Sequence, residues 1–186
     1  MRKLVLLAPL LLLNAGFGQE LLVNGDFEQE LTVGWAYTDS GYGTHWAVRD
    51  PGYQPDPDNE CQTYQYDNPG WARLEQVVDA PGTVLELSFW ASFAESAGTS
   101  TCWPAACFCV TYYDAAMTPL GETRYFYSTY ANWTPSGTLS LYRVTDPNWA
   151  HYTLNVAEEI GNNLPGVNPS DVARVGVALL SYCYSG

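Results

Sequence analysis

Positive charge is scarce in this chain of 186 residues. Lys and Arg together number 7 against 20 Asp and Glu, and the formal net charge at pH 7 is -13. A negatively charged surface repels phosphate backbones and anionic lipid headgroups, because binding would bring like charges close together. The charge therefore excludes nucleic-acid binding and binding to an anionic membrane surface.

Long apolar runs are also absent, except in the first segment. A charged start is followed by an apolar run from Leu4 to Leu13, and Gly16 and Gly18 stand at the -3 and -1 positions of a cut before residue 19. This layout is typical of a secretory signal peptide, and the run is too short for a transmembrane helix. We expect residues 1–18 to be a signal peptide cleaved near Gly18. The mature domain would then be 19–186, secreted or on the cell surface.

The chain has only five cysteines, which is an odd number: Cys61, Cys102, Cys107, Cys109 and Cys183. Export would permit disulfides, and the odd number leaves at least one thiol free or paired with another chain. Cys102 and Cys107 are the most local candidate pair, and the other pairings stay open. The Cys-x-Cys spacing at 107 and 109 has no nearby His, which argues against a zinc site.

Short segments with strand periodicity and intervening turns dominate the rest. The clearest runs from Val84 to Phe93, where Leu85, Leu87 and Phe89 share one face and Trp90 lies on the other. Further strands are predicted at 21–23, 45–48, 72–78, 108–113, 122–128, 138–144, 149–156 and 172–180. The Pro- and Asp-rich stretch 50–70 is predicted as a long surface loop, and 157–160 as a single helical turn. The pattern predicts an all-β, two-sheet antiparallel sandwich.

The opening segment Leu21–Glu28, followed by Gly34 and Trp35, resembles the start of carbohydrate-binding modules of families four, nine and twenty-two. These modules belong to the galactose-binding-like jelly rolls. Later segments resemble other strands of that fold: 72–78 with 85–91, then Trp149 with Tyr152, then 175–179. The resemblance implies a jelly-roll sandwich that binds carbohydrate. The family has one more strand after these segments, so we expect a domain that is C-terminally incomplete at Gly186; the alternative is a fold that is completed differently.

The same resemblance implies a structural calcium ion in the opening segment. Asp26 and Glu28 fall on the family's motif, with Glu28 as the better side-chain ligand, and the family's terminal-strand aspartate has no counterpart here. Hard cations prefer several oxygen ligands, which this segment supplies in part. The alternative is a solvated turn with a negative face. Residues 56–60 also concentrate oxygen ligands, but they lack the glycine of a calcium loop and are predicted to be solvated.

Aromatic residues reach 15% of the chain, and several are predicted at strand ends or away from apolar faces. Sugar rings pack on such rings while neighbouring polar groups fix the hydroxyls. Trp90 and Tyr113 point away from the apolar sides of their strands and could share one sheet face, near the fork-shaped donors of Arg73. The candidate carbohydrate-binding residues are Trp90, Arg73, Tyr113, Trp46, Trp71 and Trp103. The alternative is that these rings are packed within the fold, with Trp90 under segment 99–107.

These features predict a secreted, non-catalytic module that binds a neutral polysaccharide such as β-glucan or xylan. It would form the N-terminal part of a glycoside hydrolase or surface protein, with further domains as partners. The rival is a structural or adhesive sandwich, which would lack an exposed aromatic platform. An enzyme would need Tyr, His or paired carboxylates meeting within hydrogen-bond reach in a cleft. No nucleophile motif accompanies His45 or His151, so catalysis by the domain alone is not favoured.

Overall fold

The computed structural model describes residues 5–7, 20–51, 58–80, 82–95 and 103–184. Within these ranges 52% of the residues are in strands, and the chain also forms one short α-helix and one 3-10 turn at Pro169–Asp171. The elements are β1 (Val5–Leu7), β2 (Ala36–Asp39), β3 (Thr44–Asp50), β4 (Glu60–Tyr66), β5 (Gly70–Asp79), β6 (Glu86–Ser92), β7 (Trp103–Tyr113), β8 (Pro119–Tyr127), β9 (Leu139–Arg143), β10 (Ala150–Asn155), α1 (Val156–Asn163) and β11 (Arg174–Tyr184).

Two sheets pack face to face. The five-stranded sheet has the order β10-β6-β1-β4-β3, and the six-stranded sheet has the order β2-β5-β11-β7-β8-β9. The predicted all-β, two-sheet sandwich is confirmed. One pair departs from the antiparallel expectation, because β9 runs parallel to β8. The connection 128–138 carries the chain back to the start of β8, as a parallel pair requires.

The core lies between the sheets and is rich in aromatic rings. Phe89 of β6 is fully buried, and its ring centroid lies 3.9 Å from that of Phe108 and 5.2 Å from that of Tyr152. The ring of Tyr125 meets Phe89 edge-on at 5.5 Å. The alternation predicted for 84–93 is correct, since Leu85, Leu87 and Phe89 are all in this core. Burying such large apolar surfaces is the main stabilising contribution to the sandwich.

The short strand β1 occupies the middle of the five-stranded sheet. Val5, Leu6 and Leu7 pair antiparallel with β6, and Leu6 also lies opposite Cys61 of β4. The strand β1 therefore pairs along its whole length with β6 and at one position with β4. This strand lies within the segment predicted to be a signal peptide, and the consequence for a cleaved chain is taken up in the Discussion.

Three local predictions were wrong. Leu21–Val23 forms turns rather than a strand, because the Gln76 side chain replaces a strand partner: Val23 N–H donates to Gln76 Oε1 at 2.7 Å, and Gln76 Nε2 donates to Val23 O at 2.7 Å. Part of the predicted loop 50–70 is strand β4, whose residues are largely buried despite their polarity. The helical turn extends to Asn163 as α1, and the Asn155 side chain caps its start.

The cysteines also differ from expectation. Cys61, Cys107 and Cys109 are free, buried thiols, whereas Cys183 is disulfide-bonded. The predicted Cys102–Cys107 bridge is therefore wrong, and Cys102 itself lies outside the described residues. Burial raises the pKa of the Cys109 thiol to about 12, so this thiol stays protonated at neutral pH. No helix in the described ranges is long and apolar enough to cross a bilayer.

Candidate functional site

The outer face of the six-stranded sheet, which points away from the five-stranded sheet, carries most of the polar side chains of its central strands. Successive residues of a strand point to opposite sides. Leu74 of β5 and Val110 of β7 therefore enter the core, while Arg73 and Thr111 project from the outer face. The same alternation orients β8 and β11.

A polar cluster spans β5, β7 and β8 on this face. It consists of Arg73, Glu75, Thr111, Tyr113, Glu122 and Arg124. Arg73 Nη2 donates to Glu75 Oε1 at 2.8 Å and to Thr111 Oγ1 at 3.1 Å. Tyr113 Oη donates to the same Glu75 oxygen at 2.9 Å, so Glu75 joins two strands that are not neighbours.

The second half of the polar cluster is centred on Glu122 of β8. Thr111 Oγ1 donates to Glu122 Oε2 at 3.2 Å, and Arg124 Nε donates to Glu122 Oε1 at 2.7 Å. Arg73 Nη1 lies 3.9 Å from Glu122 Oε2. The side chains of Arg73, Glu122 and Arg124 retain between 17% and 19% of their accessible surface. They are ordered by each other and still reachable by a ligand.

The electrostatics of the cluster keep its charged forms in place. Burial lowers the pKa of the Arg73 guanidinium, but the hydrogen bond to Glu75 and the nearby negative charges outweigh it and raise the pKa above its usual value. Burial, and then the hydrogen bond to Glu75, raises the pKa of Tyr113. At neutral pH the cluster therefore offers guanidinium and phenol donors beside carboxylate acceptors.

Small residues on β11 let the two halves meet. Gly176 and Ala178 of β11 lie between β5 and β7, and Gly176 is opposite Val77 on one side and Thr111 on the other. A Cβ at Gly176 would stand 2.7 Å from Glu75 Oε1 and 2.9 Å from a ring carbon of Tyr113. The bond between Glu75 and Tyr113 therefore crosses β11 directly above a glycine.

An aromatic cluster adjoins the polar cluster on the same face. It consists of Trp71, Phe126, Trp133, Tyr182 and Tyr184. The Trp133 ring lies 5.1 Å from Phe126, 5.7 Å from Tyr184 and 6.4 Å from Tyr182. Arg124 joins the two clusters, because its guanidinium carbon lies 4.5 Å from the centre of the Trp133 ring.

Four of the predicted binding residues belong to this face. Arg73 and Tyr113 are in the polar cluster and Trp71 is in the aromatic cluster. Trp103 begins β7 opposite Tyr184, is 41% exposed, and stacks on Tyr130 with ring centroids 6.2 Å apart. The sequence argument therefore identified part of a single face.

The other two predicted residues, Trp90 and Trp46, lie in the five-stranded sheet. Trp90 pairs with His151 of β10, and their rings are 5.2 Å apart. The expectation that Trp90 and Tyr113 share a face is wrong, because their strands belong to different sheets. Trp90 is 38% exposed, so it is not covered as the alternative required. Trp46 stacks on Tyr64 of β4 with centroids 4.3 Å apart.

The opening segment proposed for calcium is engaged by protein groups. Both Glu28 carboxylate oxygens accept hydrogen bonds from Asn59, at 2.7 Å and 3.0 Å, and these bonds lower the pKa of Glu28. Arg49 Nη1 donates to Glu28 O at 3.0 Å, and Asp26 accepts the Glu28 N–H at 3.3 Å. No group of three or more His, Cys, Asp or Glu in the described ranges is placed to hold a metal. As they stand, these residues fit a guanidinium better than a calcium ion.

Calcium binding stays a prediction, and melting experiments can distinguish the ion from Arg49. If the ion binds as the resemblance implies, calcium should raise the melting temperature of the wild type relative to chelator and should have no effect on Glu28→Gln. Arg49→Gln should lower stability by about 1 kcal/mol, since the charged hydrogen bonds that it removes are partly exposed. Equal melting temperatures in calcium and in chelator for both proteins would reject the ion site and leave Arg49 as the group that holds the loop.

Sequence reasoning did not identify several residues of the face. Trp133 lies in a turn-rich segment without strand periodicity, and Tyr182 and Tyr184 stand at the end of the chain. Glu75 and Glu122 are two of the 20 acidic residues, and nothing in the sequence distinguishes them from the others. The alternation of β8 was visible, but it could not be oriented without knowing which of its faces meets the core.

No family model and no curated protein matches this chain. Among solved structures it is similar to the enzymatically active domain of tailspike protein 4 of bacteriophage CBA120, with a TM-score of 0.52 and 13% sequence identity. The similarity covers 89% of this chain and 20% of that chain, so this chain spans about a fifth of its neighbour. At this identity the likeness shows a shared β-rich fold alone.

Proposed function

We propose that the outer face of the six-stranded sheet binds a neutral polysaccharide, as a non-catalytic module of a secreted or cell-surface protein. The observation that supports this is the continuity of the polar cluster and the aromatic cluster on one sheet face. A sugar chain has both requirements, because its hydroxyls need fixed donors and acceptors while its C–H faces need flat apolar partners.

The polar cluster suits hydroxyl recognition because its members are held in place before a ligand arrives. Arg73 and Arg124 each donate to a carboxylate, and Glu75 and Glu122 keep further acceptor capacity. Preordered side chains lose little conformational entropy on binding. A ligand hydroxyl can then donate to a glutamate and accept from an arginine at the same site.

The aromatic cluster supplies the apolar surface. The Trp133 ring is held between Phe126 and the tyrosines of β11, with Arg124 over it. Trp133 is only partly buried, and the part of its ring that these contacts leave exposed would be the stacking surface for a pyranose. Loss of a central stacked tryptophan at a binding site typically costs about 2 kcal/mol or more.

Charge favours a neutral ligand over an acidic one. The chain carries a net charge of -13, which opposes uronate-rich polymers at long range, and the polar cluster contains two carboxylates beside its two guanidinium groups. β-Glucan and xylan are neutral chains of this kind. Thr111, Glu122 and Arg124 of the polar cluster line a cleft of about 300 Å³ together with residues 119–121 and 138–139, and its open form suits an internal stretch of a chain.

Affinity electrophoresis against soluble β-glucan, xylan and mannan tests the proposal. We expect retardation of the wild type in at least one neutral gel and a loss of about 30-fold in affinity for Trp133→Ala. Trp90→Ala is the matched control, because it removes a half-exposed tryptophan from the other sheet and should leave retardation unchanged. Wild-type protein that runs unretarded in every gel, or a folded Trp133→Ala that binds as well as wild type, would overturn the proposal.

A further inference from the structure

A cavity at one edge of the sandwich has the components of a second ligand site. It lies between β2 of the six-stranded sheet and β3 of the five-stranded sheet, and its volume is about 380 Å³. The turn 40–43 joins these two strands, so the cavity opens where the chain crosses from one sheet to the other. This position is separate from the outer face.

The strand β2 divides the two sites. Thr38 lies opposite Arg73 and projects with it to the outer face, while Tyr37 lies opposite the core residue Leu74 and lines the cavity with Asp39. Ligands in the two sites would thus contact opposite sides of the same short strand.

Three polar side chains converge at the cavity. Tyr37 Oη lies 3.0 Å from His45 Nδ1, and Asp39 Oδ2 lies 3.3 Å from the same nitrogen. The other carboxylate oxygen of Asp39 accepts the Gly41 N–H at 2.7 Å, which fixes the carboxylate. Burial, and then Asp39, raises the pKa of Tyr37 to about 12, so its phenol keeps its proton at neutral pH.

The remaining walls are apolar and aromatic. Trp35 and Leu74 of the core form part of the lining and are 7% and 1% exposed. Trp46 also borders the cavity, but its side chain projects from the opposite side of β3 to those of His45 and Ala47 and stacks on Tyr64. An apolar wall beside a fixed carboxylate, an imidazole and a phenol is the combination that an amphipathic sugar ring requires.

We propose that this cavity holds a single neutral pyranose ring, which packs on the apolar wall formed by Trp35 and Leu74 and has Asp39, His45 and Tyr37 as hydroxyl partners. Its size limits the ligand to one or two rings, in contrast to the open outer face. The carboxylate of Asp39 disfavours an acidic sugar. The site uses none of the residues of the polar or aromatic cluster, so it can be tested independently of the proposed function.

Titration with methyl β-glucoside, methyl β-xyloside and methyl β-galactoside, followed by tryptophan fluorescence and ligand-observed NMR, tests the site. We expect saturable binding of at least one glycoside, a loss of about tenfold or more in affinity for both Asp39→Asn and Tyr37→Phe, and an unchanged affinity for Trp46→Ala, whose ring lies on the other side of β3. Trp133→Ala should bind the glycoside as the wild type does while losing retardation by polysaccharide. Melting curves establish that each variant is folded.

Three results would overturn the inference. They are the absence of saturable binding by all three glycosides, unchanged affinity in folded Asp39→Asn, and loss of glycoside binding in Trp133→Ala. The last would place the ring on the outer face instead. If the wild type binds a glycoside but is not retarded by any polysaccharide, the proposed function is rejected and the proposal of a cavity site is retained.

Discussion

Replacing Gly176 with alanine is expected to abolish polysaccharide binding while leaving the domain folded. The new Cβ would stand 2.7 Å from Glu75 Oε1 and 2.9 Å from the Tyr113 ring, so both side chains have to move apart. The hydrogen bond from Tyr113 Oη to Glu75 Oε1 across β11 would break. The two side chains would then leave the positions in which they can bind ligand hydroxyls. Losing two charge-assisted or neutral hydrogen bonds to a ligand costs about 3 kcal/mol, which is more than a hundredfold in affinity.

Stability should respond differently from binding in this variant. The atoms displaced are the ends of two side chains, and glycine inside a strand is itself unfavourable by roughly 0.5–1 kcal/mol relative to alanine. We therefore expect a melting temperature within a few degrees of wild type. Gly161→Ala in α1 is the matched control, because nothing lies within 4 Å of its added Cβ. Unchanged retardation of folded Gly176→Ala would show that the bond between Glu75 and Tyr113 is not part of the binding face.

The sequence was informative where one strand face was uniformly apolar. Leu85, Leu87 and Phe89 alternate with polar residues, and a half-buried strand follows directly from that period. Strand β4 was missed for the opposite reason, since Glu60–Tyr66 is mostly polar in sequence and yet largely buried. Its pairing with two neighbouring strands, rather than its own hydrophobicity, holds it in the sheet.

The proposed binding face was only partly predictable, because period-two alternation gives the side of a residue within its own strand but not the sheet to which the strand belongs. Trp90 and Tyr113 each point away from a core face, yet they lie on opposite outer surfaces of the sandwich. Trp133 reaches the face from a connection without periodicity, and its position depends on packing against Phe126 and Tyr184. Such tertiary contacts leave no pattern in a single sequence.

Deleting residues 1–18 is expected to destabilise the domain strongly, since it removes β1 from the middle of the five-stranded sheet. The edges of β4 and β6 that face β1 would lose their partners. Leaving several sheet hydrogen bonds unmade costs about 4 kcal/mol, and for a domain of this size that corresponds to a fall of roughly 10 °C in melting temperature. The exposed edges should also promote association between copies.

The comparison is between residues 1–186, residues 19–186, and a chain that lacks only residues 1–3. The last keeps β1 and should melt like the full chain. Leu6→Pro in the full chain should behave like the long deletion, because proline removes a ladder hydrogen bond from a central strand. A synthetic peptide of residues 1–12 added to 19–186 should raise the melting temperature, and above its Kd the rise should grow with the logarithm of its concentration, since it binds only the folded state.

This experiment also connects the fold to the proposed secretion. If the signal peptide is cleaved as predicted, the secreted chain has to close the gap between β4 and β6 by other means. These two strands are both antiparallel to β1 and hence parallel to each other, so direct closure would require a shift of about one strand spacing, roughly 4.8 Å, and a new parallel pairing. Equal melting temperatures for 19–186 and the full chain, with no effect of the peptide, would show that such closure occurs. A large difference restored by the peptide would show that the gap accepts an extended strand.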